Sequence, residues 1–243
     1  MIFAAGLGTR LKPFTDHHPK ALAEVNGITL LELAIRKLSS AGIIDIIINV
    51  HHFSEQIIDF LQQENNFGIN IQISDESDQL LDTGGGLKKA SWFFNDNKPF
   101  LVHNVDVFSD IDLDLLFHTH MQSCAIATLA VRHRSTQRYF LFNENNQLCG
   151  WQNIKTGEQK IAKGNPENLT QLAFSGIQIL HPSIFSLITE EGKFSMTDVY
   201  IRLATYQNIN GYRHDEGIWI DLGRPENLEE ASSYLRINPG LYD

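Results

Sequence analysis

Cysteine is almost absent from the chain: Cys124 and Cys149 are the only two in 243 residues, and no C-x-x-C spacing joins them. That excludes a disulfide framework and a thiolate-built metal cluster, and reads both thiols as the reduced, buried side chains of a cytoplasmic protein. Long apolar runs are missing as well. None approaches the roughly 18 residues of a membrane span, and the N-terminus lacks the charged and apolar regions of a secretory signal. Basic charge is scarce, with 19 Lys and Arg against 29 Asp and Glu. The resulting net charge of −10 repels a polyanion over most of the surface, which excludes general nucleic-acid binding and leaves any phosphate ligand to be gripped locally. Repeats, low-complexity tracts and Pro- or Ser-rich linkers are also lacking, so nothing in the composition marks a boundary, and residues 1–243 read as a single domain. What the chain does have is apolar mass: 42% hydrophobic residues are enough to build a core without a disulfide or metal staple.

The strands implied by the pattern are short and apolar throughout rather than alternating, the mark of strands covered on both faces. Residues 43–50 (IIDIIINV) and 99–102 (PFLV) are the clearest. Helical patterns lie between them. Leu31, Ala34, Ile35 and Leu38 keep the i, i+3, i+4, i+7 spacing, Thr29 and Glu32 form a capping box, and Gly42 can close the helix. Ser54 is placed to cap a helix carrying Ile57, Ile58 and Leu61, and Asp112 one carrying Leu115 and Leu116. This rhythm predicts a parallel sheet with right-handed crossovers and helices on both faces. The second half changes character. Residues 139–142 and 147–151 flank 143–146 as a hairpin, and residues 173–180 read as a further strand, so antiparallel strands extend the sheet. Pro182 and Pro225 stand where first helical turns begin. In an open α/β sheet ligands bind beyond the carboxyl ends of the strands, and chemistry is to be sought there.

The first such end is Ala5-Gly6-Leu7-Gly8-Thr9-Arg10. Small residues let successive N–H groups converge on an anion, and Arg10 adds a fork of donors suited to phosphate. Neither the third glycine of the dinucleotide fingerprint nor the Gly-Lys-Ser/Thr of a P-loop follows, and an ordinary tight turn is the competing reading. The second end, Leu101 to Asp106, is an apolar run stopping at a carboxylate, as is the third, Ile218 to Asp221, which continues through Gly223 to a helix at Pro225. Alone, either Asp reads equally as a cap or turn residue. Together they form the oxygen-ligand pair that Mg²⁺ on a triphosphate needs. Thr83-Gly84-Gly85-Gly86 opens a helical pattern where main chain can approach a flat ligand and an N-terminus favours anions, or else forms a flexible loop. Lys163, alone in a polar stretch, reads as a surface charge.

Other candidates carry less. His118 and His120 lie two apart on a predicted helix and point to different faces. His51 and His52 follow a strand end, where surface or hydrogen-bonding roles are the commoner reading. Arg132, His133, Arg134 and Arg138 read as a solvated loop. Asp110-Ile111-Asp112 and Asp112-Leu113-Asp114 match the D-x-D pattern of glycosyltransferases, but their place at a helix start suits caps better.

Residues 3–10 (FAAGLGTR) with Pro13, Thr15 and Pro19-Lys20 resemble the signature L-A-x-G-x-G-T-R-x-x-P-x-T-x-x-x-P-K of the sugar-1-phosphate nucleotidylyltransferases. Asp106 and Trp219-x-Asp221-x-Gly223-x-Pro225 match that family's later landmarks in order. The Thr83–Gly86 segment most resembles uridylyltransferases acting on N-acetylmuramate 1-phosphate, with mannose-1-phosphate guanylyltransferases next. The resemblance implies a Rossmann-like α/β/α fold of three layers with a mostly parallel sheet. It also implies a reaction of a nucleoside triphosphate with a sugar 1-phosphate to give NDP-sugar and pyrophosphate, a cell-wall precursor step if the sugar is muramate. By the same resemblance Ala4, Ala5, Gly6, Gly8, Thr9, Arg10 and Lys20 hold the nucleotide, Thr83 through Gly86 the base, Asp106 and Asp221 an Mg²⁺ ion, and Lys163 and Asn104 the sugar phosphate. Arg10, Lys20, Asp106 and Asp221 form the catalytic group. A catalytically dead relative that binds nucleotide or sugar phosphate is the alternative, and a homodimer is one assembly left open. The chain departs from many relatives at Ala162, Val105 and Ala21, where they carry Glu, Gly and Pro.

Overall fold

The structure is a computed structural model and describes residues 1–238. The last five residues of the expected single domain lie outside the described ones. In chain order the first elements are β1 (Ile2–Phe3), β2 (Glu24–Val25), β3 (Ile28–Thr29), α1 (Leu30–Ser40), β4 (Asp45–Val50), α2 (Ser54–Gln63), β5 (Asn70–Asp75) and α3 (Asp82–Lys89). There follow β6 (Phe100–Asn104), β7 (Val107–Ser109), α4 (Leu113–Met121), β8 (Ala127–Arg132), β9 (Arg138–Phe142), β10 (Leu148–Asn153) and β11 (Gln159–Ile161). The chain continues with β12 (Thr170–Leu180), α5 (Ile184–Leu187), α6 (Met196–Leu203), β13 (Ile209–Arg213), β14 (Trp219–Asp221) and α7 (Pro225–Ile237).

These elements group into two compact units, the first made, among the described residues, of 1–81, 103–111 and 218–238, the second of 82–102 and 112–217. In the first unit β4 pairs in parallel with β1 and β5, and β1 pairs in parallel with the end of β6. This is the Rossmann-like half predicted from apolar runs alternating with helices. Ile46, Ile47 and Ile48 are fully buried, as a strand covered on both faces must be. Helix α1 forms as its sequence dictates. Thr29 Oγ1 accepts the Glu32 N–H at 3.1 Å, Leu30, Leu31, Ala34, Ile35 and Leu38 are buried, and Gly42 at φ 76° lets the Ile43 N–H return to the Leu38 carbonyl. The Glu32 carboxylate turns instead to Arg36, so the capping box is one-sided. Ser54 does not cap α2. Phe53 holds the cap position at φ 55° and the Ser54 hydroxyl meets that of Ser77. A two-stranded ribbon, β7 against β14, closes the unit.

The second unit is largely antiparallel. The predicted hairpin is β9 and β10, β11 adds to β10, and the long β12 pairs first with β9 and then with β8 across an irregularity at 174–178 that contains Gly176 at φ 77°. β13 lies parallel to β8. Asp112 caps α4, its Oδ1 accepting the Leu115 N–H at 2.8 Å. The mixed α/β class read from the sequence is therefore the class observed. Two readings are corrected here. Cys124 is exposed, and only Cys149 is buried. The basic run at 132–138 is not a free solvated loop, because Arg132 donates to the Asp215 and Gly217 carbonyls and Arg134 to that of Phe174. Among the described residues no helix is long and apolar enough to cross a membrane.

Candidate active site

β1 stops after Phe3 and the chain turns into the glycine loop. Gly8 sits at φ 63°, where its carbonyl accepts the Leu11 N–H at 2.8 Å and the Thr15 hydroxyl at 3.0 Å. A Cβ at Gly8 would stand 2.7 Å from the Lys20 Cβ and 2.9 Å from the Thr15 methyl, so backbone and packing both require glycine. Gly6 has no such constraint, its nearest neighbour to an added Cβ being Lys20 Nζ at 3.9 Å. Among the described residues the N–H groups of Gly6, Leu7 and Gly8 meet no protein acceptor, and Gly6 and Leu7 are exposed. Successive N–H donors without a protein acceptor, beside a lysine, are what an anion cradle requires.

Two ion pairs stand beside the loop. Lys20 Nζ lies 2.6 Å from Asp106 Oδ2, with both side chains mostly buried at 13% and 15% exposure. Arg10 reaches Asp221 across 211 residues of chain, Nη1 to Oδ2 at 3.0 Å and Nη2 to Oδ1 at 3.4 Å. The β7–β14 ribbon brings the backbones of the two residues side by side: Asp221 is the register partner of Val107, and the Leu222 N–H donates to the Asp106 carbonyl at 2.8 Å. Burial pushes the Asp221 carboxyl upward, but the Gly223 N–H at 2.9 Å together with Arg10 and Lys20 outweighs it and holds the group below the usual carboxylate range. Asn227 ties α7 to the same turn by donating to the Asp221 carbonyl at 2.6 Å. Thus Arg10, Asp106 and Asp221, singled out at three separate strand ends, and Lys20, singled out by the family signature, form one cluster within the first unit, with Ala4, Ala5, Gly6, Gly8 and Thr9 in the adjoining loop.

Asp106 and Asp221 offer oxygen donors only, which suits a hard divalent cation, and Asp106 Oδ1 accepts no bond among the described residues. Because no group of three or more His, Cys, Asp or Glu residues that could hold a metal gathers among the described residues, an ion here would complete its shell with water and substrate oxygens. Asn104 ends β6 opposite Phe3, and its carbonyl accepts from His103 Nδ1 at 2.8 Å. Burial pushes His103 down to about 4, which keeps it neutral at this strand end.

Gly223 is glycine for a local reason. A Cβ there would run into Arg10 Nη2 and stand 2.8 Å from Asp221 Oδ1, while its φ makes no special demand. Gly223→Ala should displace the guanidinium, lower kcat by about tenfold, about 1.4 kcal/mol in the barrier, and leave the melting temperature nearly unchanged. Steady-state kinetics with thermal melts checks this.

The second unit holds the remaining residues. Asp82, at φ 61°, precedes Thr83, and the Gly84 and Gly85 N–H groups at the start of α3 both donate to the Phe194 carbonyl at 2.9 and 3.3 Å. Thr83 Oγ1 accepts the Met196 N–H at 3.0 Å. A Cβ on Gly84 would collide with the Phe194 ring, so this glycine is needed for packing whatever it binds. Lys163 follows β11, its N–H donating to the Cys149 carbonyl at 3.1 Å. Asp110 Oδ1 accepts the Ile218 N–H in the first unit, and Asp112 is a cap, so neither D-x-D candidate presents a metal site. Sequence reasoning missed Asn49 and Glu76. Ala4 N–H donates to Asn49 Oδ1 at 2.8 Å and Asn49 Nδ2 to Glu76 Oε1 at 2.7 Å. The available signal was a buried amide inside the apolar run DIIINV.

Residues 1–237 match the family model described as nucleotidyl transferase. An N-acetylmuramate alpha-1-phosphate uridylyltransferase from Neisseria meningitidis is 33% identical over 234 residues, covering 96% of both chains. A mannose-1-phosphate guanyltransferase from Yarrowia lipolytica is 31% identical over 94% of this chain, which spans only 61% of that longer protein. Among solved structures, a putative glucose-1-phosphate thymidylyltransferase from Bacillus anthracis superposes with a TM-score of 0.80 at 19% identity, covering 97% of this chain and 94% of that one. A UDP-glucose pyrophosphorylase bound to UDP-glucose gives 0.77 at 20% identity, covering 98% and 97%. At these identities the structures speak to the fold alone.

Proposed function

The chain belongs to the nucleotidyl transferase family and is an enzyme of the sugar-1-phosphate nucleotidyltransferase kind, and from that premise we propose that it joins UTP to N-acetylmuramate 1-phosphate, releasing pyrophosphate. The observation that carries this reading is the cluster of Arg10, Lys20, Asp106 and Asp221 beside a loop whose N–H groups meet no protein acceptor among the described residues. The choice of substrates is supported by the greater similarity, over nearly full length on both sides, to the uridylyltransferase from Neisseria meningitidis.

In this reading a phosphate oxygen of the sugar 1-phosphate attacks the α-phosphorus in line. One phosphorus–oxygen bond forms while the bond to pyrophosphate breaks, and no protein nucleophile is needed. The loop N–H groups from Gly6 to Gly8 hold the triphosphate, and Arg10 and Lys20 take up the charge growing on the leaving group. Asp106 and Asp221 would hold Mg²⁺, which when bound neutralises the α-phosphate. Thr83 to Gly86 would take the base, and Lys163 and Asn104 the sugar phosphate. Each acidic residue is already beside the cation it must share with substrate, so the ion pairs hold both carboxylates in place before the triphosphate arrives.

Pyrophosphate release over UTP, GTP, CTP and dTTP against N-acetylmuramate, mannose and glucose 1-phosphates tests the assignment. The highest kcat/KM is expected for UTP with N-acetylmuramate 1-phosphate, by at least about tenfold over the next pair. A GTP and mannose preference would instead favour the guanylyltransferase reading that the Yarrowia relative supports. No turnover by the folded chain with any pair would leave only a non-catalytic binding role.

A further inference from the structure

We propose that Asn49 and Glu76, a buried polar pair set apart from the ion-paired cluster, are positioning residues for the nucleotide, holding the backbone of Ala4 at the mouth of the glycine loop and of Leu81 one residue ahead of α3. The inference rests on the nucleotide reading above, since both stretches lead into segments assigned there to nucleotide.

The argument begins with an unpaired strand end. β1 is two residues long, and its ladder with β4 stops at the Phe3–Asn49 pair. The next residue, Ala4, is 4% exposed, so its N–H needs an acceptor inside the protein. Asn49, itself 3% exposed, supplies Oδ1 at 2.8 Å. A backbone N–H can only donate, so the oxygen of the Asn49 amide must face Ala4. Its Nδ2 is then the end that must be accepted, and Glu76 Oε1 accepts it at 2.7 Å. Glu76 is fully buried, and its second oxygen accepts the Leu81 N–H at 3.1 Å. The Glu76 backbone is pinned as well, its N–H donating to the Val50 carbonyl at 2.7 Å and its carbonyl accepting from His51 Nδ1 at 2.6 Å.

The polarity of this relay explains the choice of residues. Ala4 and Leu81 present donors at its two outer ends, so the pair between them needs an acceptor facing outward at each end and one donor inside. An amide joined to a carboxylate meets that requirement. Two amides also supply an inner donor, yet with Gln at 76 either the Leu81 N–H or the Ala4 N–H faces an amine group. A buried carboxylate is costly in an apolar setting, and an aliphatic pair would fill the volume more cheaply. What the polar pair adds is a fixed direction for two peptide groups, one opening the loop whose N–H groups would meet phosphate and one leading into the Thr83–Gly86 segment.

The test is an exchange of the charge between the two positions. Asn49→Ala removes the acceptor of Ala4, and Glu76→Gln breaks the polarity. The double variant Asn49→Asp/Glu76→Gln restores it with the same net charge: Asp accepts from Ala4 and from the new Gln amine, and the Gln oxygen accepts from Leu81. We expect each single variant to raise the KM for UTP by about tenfold or more while the KM for the sugar phosphate stays within about twofold, and the double variant to return the UTP value to within about threefold of wild type. The double variant decides even where a single one does not fold. If it remains as impaired as the singles, the relay is wrong. Single variants that lower the melting temperature yet leave the UTP KM within about twofold show a purely structural pair and overturn the inference alone. A folded wild type that turns over no nucleoside triphosphate overturns the functional reading first, and this role with it.

Discussion

Asp106→Asn and Asp221→Asn each lower pyrophosphate release by at least about two orders of magnitude, about 3 kcal/mol in the barrier, with the secondary structure retained. The substitution keeps size and shape and removes the charge, so it asks whether an ionised oxygen is required. At Asp221 the amide oxygen can still accept the Gly223 N–H, which preserves the turn before α7. What is lost is the partner of Arg10 and half of the oxygen pair suited to a divalent ion. At Asp106 the amide leaves Lys20 Nζ, now 2.6 Å from a neutral oxygen, without its counter-charge. Titrating Mg²⁺ separates the two effects: an Asn variant that regains turnover at high metal has lost affinity, and one that does not has lost catalysis. Asp110→Asn and Asp112→Asn are the controls. Asp110 only accepts the Ile218 N–H and Asp112 only caps α4, duties that Asn performs, so turnover should stay within about twofold. Full activity in Asp106→Asn or Asp221→Asn would remove that residue from the site.

Three of the four charged residues could be read from the sequence because each stands at a punctuated strand end: Arg10 in the Gly-x-Gly loop after Phe3, Asp106 after the 101–105 run, Asp221 before Gly223 and Pro225, whereas Lys20 was legible only through the Pro19-Lys20 of the family signature. Which cation meets which carboxylate could not be read. Arg10 pairs with Asp221 rather than Asp106 because β7, three residues long and following directly on Asp106, folds back against β14, and a strand that short carries no periodic signal. The same limit hid the cap of α2. Ser54 has the right chemistry, but Phe53 in the left-handed region turns the chain one residue earlier and sends the serine hydroxyl to Ser77. Asn49 and Glu76 escaped for a different reason. Their partners are backbone groups 45 and 5 residues away, and a polar residue in an apolar strand announces burial without naming what it bonds. Gly84 illustrates the converse: the glycine run suggested ligand approach, whereas its first member is fixed by the Phe194 ring.

Lys20→Met should cost about 3 kcal/mol of stability and at least about a hundredfold in kcat/KM for UTP, and the two losses can be separated. The lysine stem packs where a Gly8 Cβ would otherwise sit, and methionine keeps that apolar stem. It removes the ammonium, leaving a carboxylate with 15% exposure and no cation beside it, and one-sided removal of a buried pair is the costly direction. Adding Asp106→Asn removes the stranded charge, so the double variant should recover most of the lost stability, read as the denaturation midpoint. Activity should not return, because the Lys20 ammonium is still missing and the Asp106 carboxylate is then gone as well. Recovery of stability in the double variant traces the stability loss to the stranded carboxylate, and a fall in kcat/KM for Lys20→Met at a temperature where that variant is fully folded assigns Lys20 to the chemistry as well as to the fold. Lys20→Arg extends the case. Arginine carries the same charge, but its planar fork is bulkier than an ammonium set beside Gly8 and 2.6 Å from Asp106, and the bond geometry cannot be kept. It should therefore hold the protein near wild-type stability while lowering turnover by about tenfold, placing the requirement on the position of the charge rather than on its presence.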